Sequence, residues 1–186
     1  MNVAVQTISW GANPQSMELT LREAKEAGYK GVEVFQHPRL LGSAKDFYDL
    51  LQKIGLALVV LTGGAVSERI AFASEFIHVQ KQVTPVPSMG IQSTTRPALE
   101  TVRPYVYVDE VQDIEWYAHN RKSDAEVLMA LHPHMFKSVQ TGQEARALLK
   151  KYPWLRFLPD TAHLKIAGEN PVELLDEHFS KLAAVH

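Results

Sequence analysis

Apolar residues fall into short runs that alternate with amphipathic stretches along the chain. Asn2 to Ile8 is rich in β-branched residues and closes at Ser9-Trp10-Gly11, which predicts a strand. Ser16 then stands as an N-cap before Met17, Leu21 and Ala24 at i, i+4 and i+7, with Gly28 as the stop; this is a helix with one buried face. Gly31 to Phe35 is a second strand. Ser43 opens a helix carrying Phe47, Leu50, Leu51 and Ile54 on one side and ending at Gly55. Leu56 to Thr62 is apolar without alternation, as in a strand covered on both faces. Ser67 starts a helix through Ile70, Ala73, Phe76 and Ile77.

The rhythm breaks over residues 82–104, where Pro85, Pro87, Pro97 and Pro104 sit among Ser, Thr and Gln; this segment reads as a long loop. It resumes with a strand at Tyr105–Val108 that ends in Asp109 and Glu110, a helix-tolerant piece from Asp113 to Ala125, and a strand at Val127–Leu131 running into His132-Pro-His-Met135. Thr141-Gly-Gln-Glu144 is a capping box that places Ala145, Leu148 and Leu149 inward. Leu155–Leu158 is a sixth strand, closing in Pro159-Asp-Thr-Ala-His163. Asn170-Pro-Val-Glu173 joins an N-cap, a proline at the first helical position and a glutamate at the third, and its helix presents Val172, Leu175, Phe179 and Leu182. Ala183–His186 is a seventh short strand.

Strand starts near 2, 31, 57, 105, 128, 155 and 183 give intervals of 29, 26, 48, 23, 27 and 28 residues. Apart from the interval that holds the Pro-rich loop, this is a repeated βα unit, which means a parallel sheet covered by helices. No Gly-x-Gly-x-x-Gly follows the first strand, where Trp10-Gly-Ala-Asn-Pro14 stands instead, and no phosphate-cradling Gly-Lys-Ser/Thr loop occurs. A doubly wound dinucleotide-binding sheet is thereby disfavoured, and a (β/α) barrel is expected.

Composition narrows the function classes. The 186 residues contain no Cys and carry a formal charge of -2, so thiol catalysis and Cys-ligated zinc are excluded and no electrostatic footprint for nucleic acid is present. The longest apolar run, Leu56 to Leu61, is too short for a bilayer span. Met1-Asn2-Val3-Ala4 lacks a basic leader region, so a cytoplasmic protein of one domain, 1–186, without nucleic-acid or membrane partners is expected.

In a (β/α) barrel the active site lies at the C-terminal ends of the strands. Five of the eight His residues (37, 132, 134, 163 and 186) fall at or just past predicted strand ends, beside Glu33, Gln36, Asp109, Glu110 and Asp160. His132, Asp160 and His186 are separated by 28 and 26 residues, one βα unit each. Equivalent rim positions on three successive strands therefore carry imidazole or carboxylate, which suits a divalent metal. Asp160-Thr-Ala-His163 also reads as an ordinary helix-capping turn, and both readings stand at this point. Tyr105 and Tyr107 are expected to pack a core face, His119 and His178 to lie on outer helix surfaces, and Lys150-Lys151 and Arg121-Lys122 to be solvated.

Leu131-His-Pro-His-Met-Phe136, Leu158-Pro-Asp-Thr-Ala-His-Leu164, Ala167-Gly-Glu-Asn-Pro171 and Leu182-Ala-Ala-Val-His186 resemble the xylose isomerase-like TIM-barrel superfamily. Within it they are most similar to the sugar phosphate isomerase/epimerase and inosose dehydratase branch. Val5-Gln-Thr-Ile-Ser-Trp10 and Gly28-Tyr-Lys-Gly-Val-Glu-Val34 are similar to that family's first two strands. The resemblance implies a divalent ion (manganese, magnesium, cobalt or zinc) at the barrel mouth, with Asp160 and His186 at metal-binding positions and His132 at a position often held by glutamate. It implies substrate or acid–base roles for His163, His134 and Glu33. The implied chemistry is proton transfer next to a metal-polarised carbonyl or hydroxyl of a small sugar or polyol.

Two departures from the family pattern shape the alternatives. Gln140 stands where a glutamate is usual, and an amide cannot act as a base. An eighth strand bearing a further metal-binding glutamate is not included, so the barrel is expected to be incomplete, with about seven strands and edges open to pairing with a second copy. An inosose dehydratase-like lyase, and an inactive barrel acting as a binding module, are the rival expectations. A phosphodiester-cleaving enzyme is disfavoured by the lack of a basic rim.

Overall fold

Six parallel strands flanked by helices form where the βα rhythm predicts them. The computed structural model describes residues 3–83, 103–121 and 127–186. They fall into two compact units, Met1–Pro104 and Tyr105–His186. The expected Pro-rich loop lies, from 84 to 102, outside the described residues.

In the first unit β1 (Ala4–Gln6) pairs with β2 (Gly31–Val34), and β2 with β3 (Ala57–Leu61). Gly31 is required by the close approach of β3: a Cβ there would lie 2.6 Å from Val59 Cγ2. The helices are α1 (Met17–Glu26), α2 (Ala44–Ile54) and α3 (Val66–Val83). Ser16 and Ser43 cap α1 and α2 as their sequence positions predict, and Gly55 ends α2 in the left-handed region at φ 81°, where a Cβ costs about 1 kcal/mol. The apolar face of α2 meets α3 through edge-on aromatic pairs, Phe47–Phe72 at 6.1 Å and Tyr48–Phe76 at 5.5 Å between ring centroids.

In the second unit β4 (Tyr105–Val108), β5 (Leu128–Leu131) and β6 (Arg156–Phe157) pair in sequence order. Its helices are α4 (Val111–Asn120), α5 (Gly142–Lys151), α6 (Thr161–Ile166) and α7 (Pro171–Glu177). The Thr141–Glu144 capping box forms with both of its hydrogen bonds. Asn170 caps α7, which stops at Glu177, short of the expected Leu182, and a 3-10 turn follows at Phe179–Lys181. On β4 the two valines are buried and the two tyrosines are only half-buried, so the alternation runs opposite to the expected aromatic core face.

The seventh expected strand does not become regular. Leu182 bridges to Phe157 in parallel, Ala183 N donates to Phe157 O at 2.8 Å, and His186 N donates to Pro159 O at 2.9 Å. In a parallel ladder the carbonyl of Ala183 would accept from the N–H of residue 159, and proline has none. The next bond then comes from His186 instead of Val185, a one-residue slip. The segment 182–186 thus follows β6 without forming a strand.

His178, expected on an outer surface, is half-buried at the end of α7. Its ring meets Phe157 edge-on at 5.6 Å and its Nε2 is buried without a hydrogen bond. Burial pushes its pKa down, as do Arg146 and Lys181, against an opposing pull from Glu177. A depressed folded-state pKa means the neutral ring is favoured by folding, so stability is present above the unfolded value of about 6.5 and is lost as pH falls below it. Thermal melts between pH 7.5 and 5 should show that loss, and His178→Gln should reduce the slope; an unchanged slope would exclude this origin.

Candidate metal centre

The second unit gathers four imidazoles and one carboxylate at the C-terminal ends of β5 and β6. His132 immediately follows β5 and is 3% exposed. Its Nδ1 lies 2.8 Å from the carbonyl oxygen of Leu158. A carbonyl only accepts, so Nδ1 carries the proton and the ring lone pair is on Nε2. Such a backbone-fixed tautomer is the usual preparation of a metal-ligating histidine. His134 is fixed in the same way, with Nδ1 2.8 Å from Met135 O.

Asp160 takes up the helix-capping reading with one carboxylate oxygen and leaves the other facing His163. Its Oδ1 accepts from Ala162 N at 2.8 Å and His163 N at 2.9 Å, capping α6. Its Oδ2 is 4.0 Å from His163 Nδ1, too long for a hydrogen bond. Burial would raise the Asp160 pKa, but the His163 amide, the His163 ring, the Ala162 amide and the His132 ring together hold it below the usual carboxylate range. His163 Nδ1 is itself buried without a hydrogen bond.

His132, Asp160 and His163 each bring one donor atom to within 4.8 Å of the other two. The ring of His134 stands nearly perpendicular to His163 at 4.0 Å between centroids, and His186 lies 5.0 Å from His132 in the same measure. The main chain of His186 is held in place, its carbonyl accepting from Thr161 N and Thr161 Oγ1, both at 3.0 Å. The structure therefore brings together His132, Asp160, His163, His134 and His186. Glu33 belongs to the first unit, where it is buried on β2 and accepts a hydrogen bond from Gln6. His37, in the same unit, faces Glu68 at 2.9 Å.

Two residues that were not among the sequence-derived candidates adjoin the cluster: Tyr107 directly, and Lys137 through Asp109. The Tyr107 ring is 4.8 Å from His132, and its hydroxyl donates to Asp109 Oδ2 at 3.0 Å. Lys137 Nζ is 3.3 Å from both Asp109 and Glu110. Strand alternation hides Tyr107, because an aromatic on a strand reads as core until the buried face is known. The loop after β5 is braced by His134 N to Val139 O at 2.9 Å and by Phe136 N to Gln140 Oε1 at 3.2 Å. Phe136 is 91% exposed with φ 65°.

No protein-family model matches the chain. It is 37% identical over 68 residues to an inosose dehydratase of Clostridium botulinum, a stretch covering 34% of this chain and 22% of that protein. A solved 3-keto-D-glucoside 4-epimerase from E. coli superposes with a TM-score of 0.64 at 15% identity, covering 100% of this chain and 78% of the epimerase. A xylose isomerase-like TIM-barrel protein from Mycobacterium smegmatis, solved in complex with magnesium, superposes with a TM-score of 0.59 at 14% identity, covering 97% of this chain and 72% of its own. The fold is thus that of TIM barrels, of which the chain spans a part. Among the described residues, no helix is long and apolar enough to cross a membrane.

Proposed function

We propose that the protein is a divalent-metal-dependent enzyme acting in the cytoplasm on a small sugar, sugar phosphate or polyol, moving a proton at a carbon next to a carbonyl or hydroxyl. Its net reaction is isomerisation or epimerisation. The observation that carries this reading is the set of donors from His132, Asp160 and His163 within 4.8 Å, with His132 already fixed as the tautomer a metal needs. The sugar epimerase and the magnesium-bound barrel that share the fold support it.

A bound divalent ion would be held by His132 and Asp160 with a flanking imidazole, and it supplies Lewis acidity that makes a proton next to a carbonyl easier to remove. The remaining work falls to the chain's own groups. His134 presents Nε2 as a base, because Nδ1–H is committed to Met135 O. Tyr107, tied to Asp109, closes one side of the His132 ring. Gln140 braces the rim loop through Phe136 N and takes no proton.

Incubating the metal-loaded protein with a ketose, a ketose phosphate and an inosose in D2O tests this. Deuterium incorporation without loss of water is the expected result, and His134→Asn should lower its rate by roughly 10²- to 10⁴-fold. Loss of water from the inosose would instead assign the dehydratase reading, which the 37% identity over 68 residues favours. Silence on all three would leave a binding module.

A further inference from the structure

We propose that the substrate is a glycoside, a sugar that carries an uncharged ring in place of a phosphate, and that Phe136 selects it by stacking on that ring. This rests on the sugar reading above and deepens it by naming the substrate class. It gives Phe136 a binding role and no part in the proton transfer.

Phe136 lies in the loop after β5, two residues beyond His134, so its Cα stands within about 7 Å of the His134 Cα. Its ring is 91% exposed and its backbone has φ 65°, a region that residues with a Cβ avoid. Disfavoured backbone persists only where its surroundings fix it, and such positions cluster at ligand-binding sites. Here the surroundings do fix it. Phe136 N donates to Gln140 Oε1 at 3.2 Å and His134 N to Val139 O at 2.9 Å. Ser138 N donates to Glu110 Oε2 at 3.1 Å, and Ser138 Oγ accepts from Val111 N at 2.8 Å, which ties the loop to the start of α4. The polar side chains of the loop are engaged in holding it, and the group presented outward is the aromatic ring. A ligand that meets this ring need not order the loop first, which lowers the cost of binding.

Charge decides what kind of ligand that is. A phosphate calls for a cation that is not already neutralised. Lys137 is the one Lys or Arg between His132 and Thr141, and its Nζ lies 3.3 Å from both Asp109 and Glu110. Two carboxylates share one ammonium, so this side of the rim is negative on balance and disfavours a phosphate. An uncharged ring has no such penalty and offers Phe136 a flat apolar face. A glycoside combines the two requirements, with its reacting sugar at the histidine cluster and its second ring on Phe136.

The test is calorimetric titration of the full chain with three probes: phenyl β-D-glucopyranoside, methyl β-D-glucopyranoside and fructose 6-phosphate. The parent should bind the phenyl glycoside roughly three- to tenfold tighter than the methyl glycoside, and fructose 6-phosphate most weakly of the three. Phe136→Gly, whose backbone accepts a positive φ, should abolish the difference between the two glycosides while melting no lower than the parent. Phe136→Trp should keep the difference. A preference that survives in Phe136→Gly overturns the inference, as does tighter binding of fructose 6-phosphate than of the phenyl glycoside, or no binding of any probe. A parent that sediments as a dimer and a Phe136→Gly protein that sediments as a monomer also overturn it, because the ring then serves a second copy of the chain. Deuterium incorporation in D2O keeps the two readings apart. Incorporation into a ketose without any phenyl preference overturns this inference alone. A Phe136-dependent preference with no incorporation into any sugar overturns the proton-transfer reading and leaves Phe136 its binding role.

Discussion

Asp160→Asn should leave the metal-free protein about as stable as the parent while lowering divalent-metal affinity by roughly ten- to hundred-fold. The two carboxylate oxygens have separate duties. Oδ1 caps α6 through Ala162 N and His163 N, and asparagine caps a helix as well as aspartate does. Oδ2 faces His163, and an amide nitrogen in its place offers no lone pair and no charge. Asp160→Ala removes both duties, so it should lose the metal response and also about 1 kcal/mol of stability. Melting the two variants with and without cobalt separates the roles. Parent-like affinity in Asp160→Asn would remove the carboxylate from the metal site; a large loss of stability in the metal-free Asn variant would mean that Oδ2 has a structural role.

Phe157→Ala should be the most destabilising single change in the second unit, at about 3–5 kcal/mol. The ring is fully buried on β6, a strand of only two residues. The backbone of Phe157 bridges to Leu182 and accepts from Ala183 N, and its ring supports His178. A cavity there loses packing on both sides of a short element that cannot collapse easily. Against a total stability of about 5–15 kcal/mol for a typical domain, urea midpoints should fall by a large fraction, and Phe157→Leu should lose much less. If Phe157→Ala were to cost below 1 kcal/mol, β6 would not be the anchor of segment 182–186.

The legible part of the fold is its local chemistry. Ser16, Ser43, Thr141 and Asn170 each cap the helix that the sequence assigns to them, because a cap is decided by one side chain and the three residues after it. What was not legible depends on partners far along the chain. The seventh strand fails at Pro159, whose missing N–H matters only once residues 157–159 and 182–186 lie side by side. α6 has six residues, too few for a periodic signal, so the sequence shows only its cap. At the site, spacing found His132, Asp160, His134, His163 and His186, since a βα repeat returns the chain to the same rim. The resemblance separates the imidazoles into metal-binding (His132, His186) and substrate (His134, His163) positions, whereas which donor atoms come within 4.8 Å of one another, those of His132, Asp160 and His163, depends on ring orientation and was not legible.

Phe136 places a large apolar side chain in water and its own backbone in the left-handed region. Neither is favoured by folding: the conformation costs roughly 1–2 kcal/mol for a residue with a Cβ, and the exposed ring gains nothing from burial. A saturation library at this position would therefore be uneven in a particular way. Glycine and asparagine would relax the turn, while valine, isoleucine and threonine would be rejected for their backbone preferences alone. The β5 rim loop thus gives a protein engineer an adjustable position close in sequence to the His132–His134 pair, one where the outward-facing chemistry can be rewritten with little cost to the core.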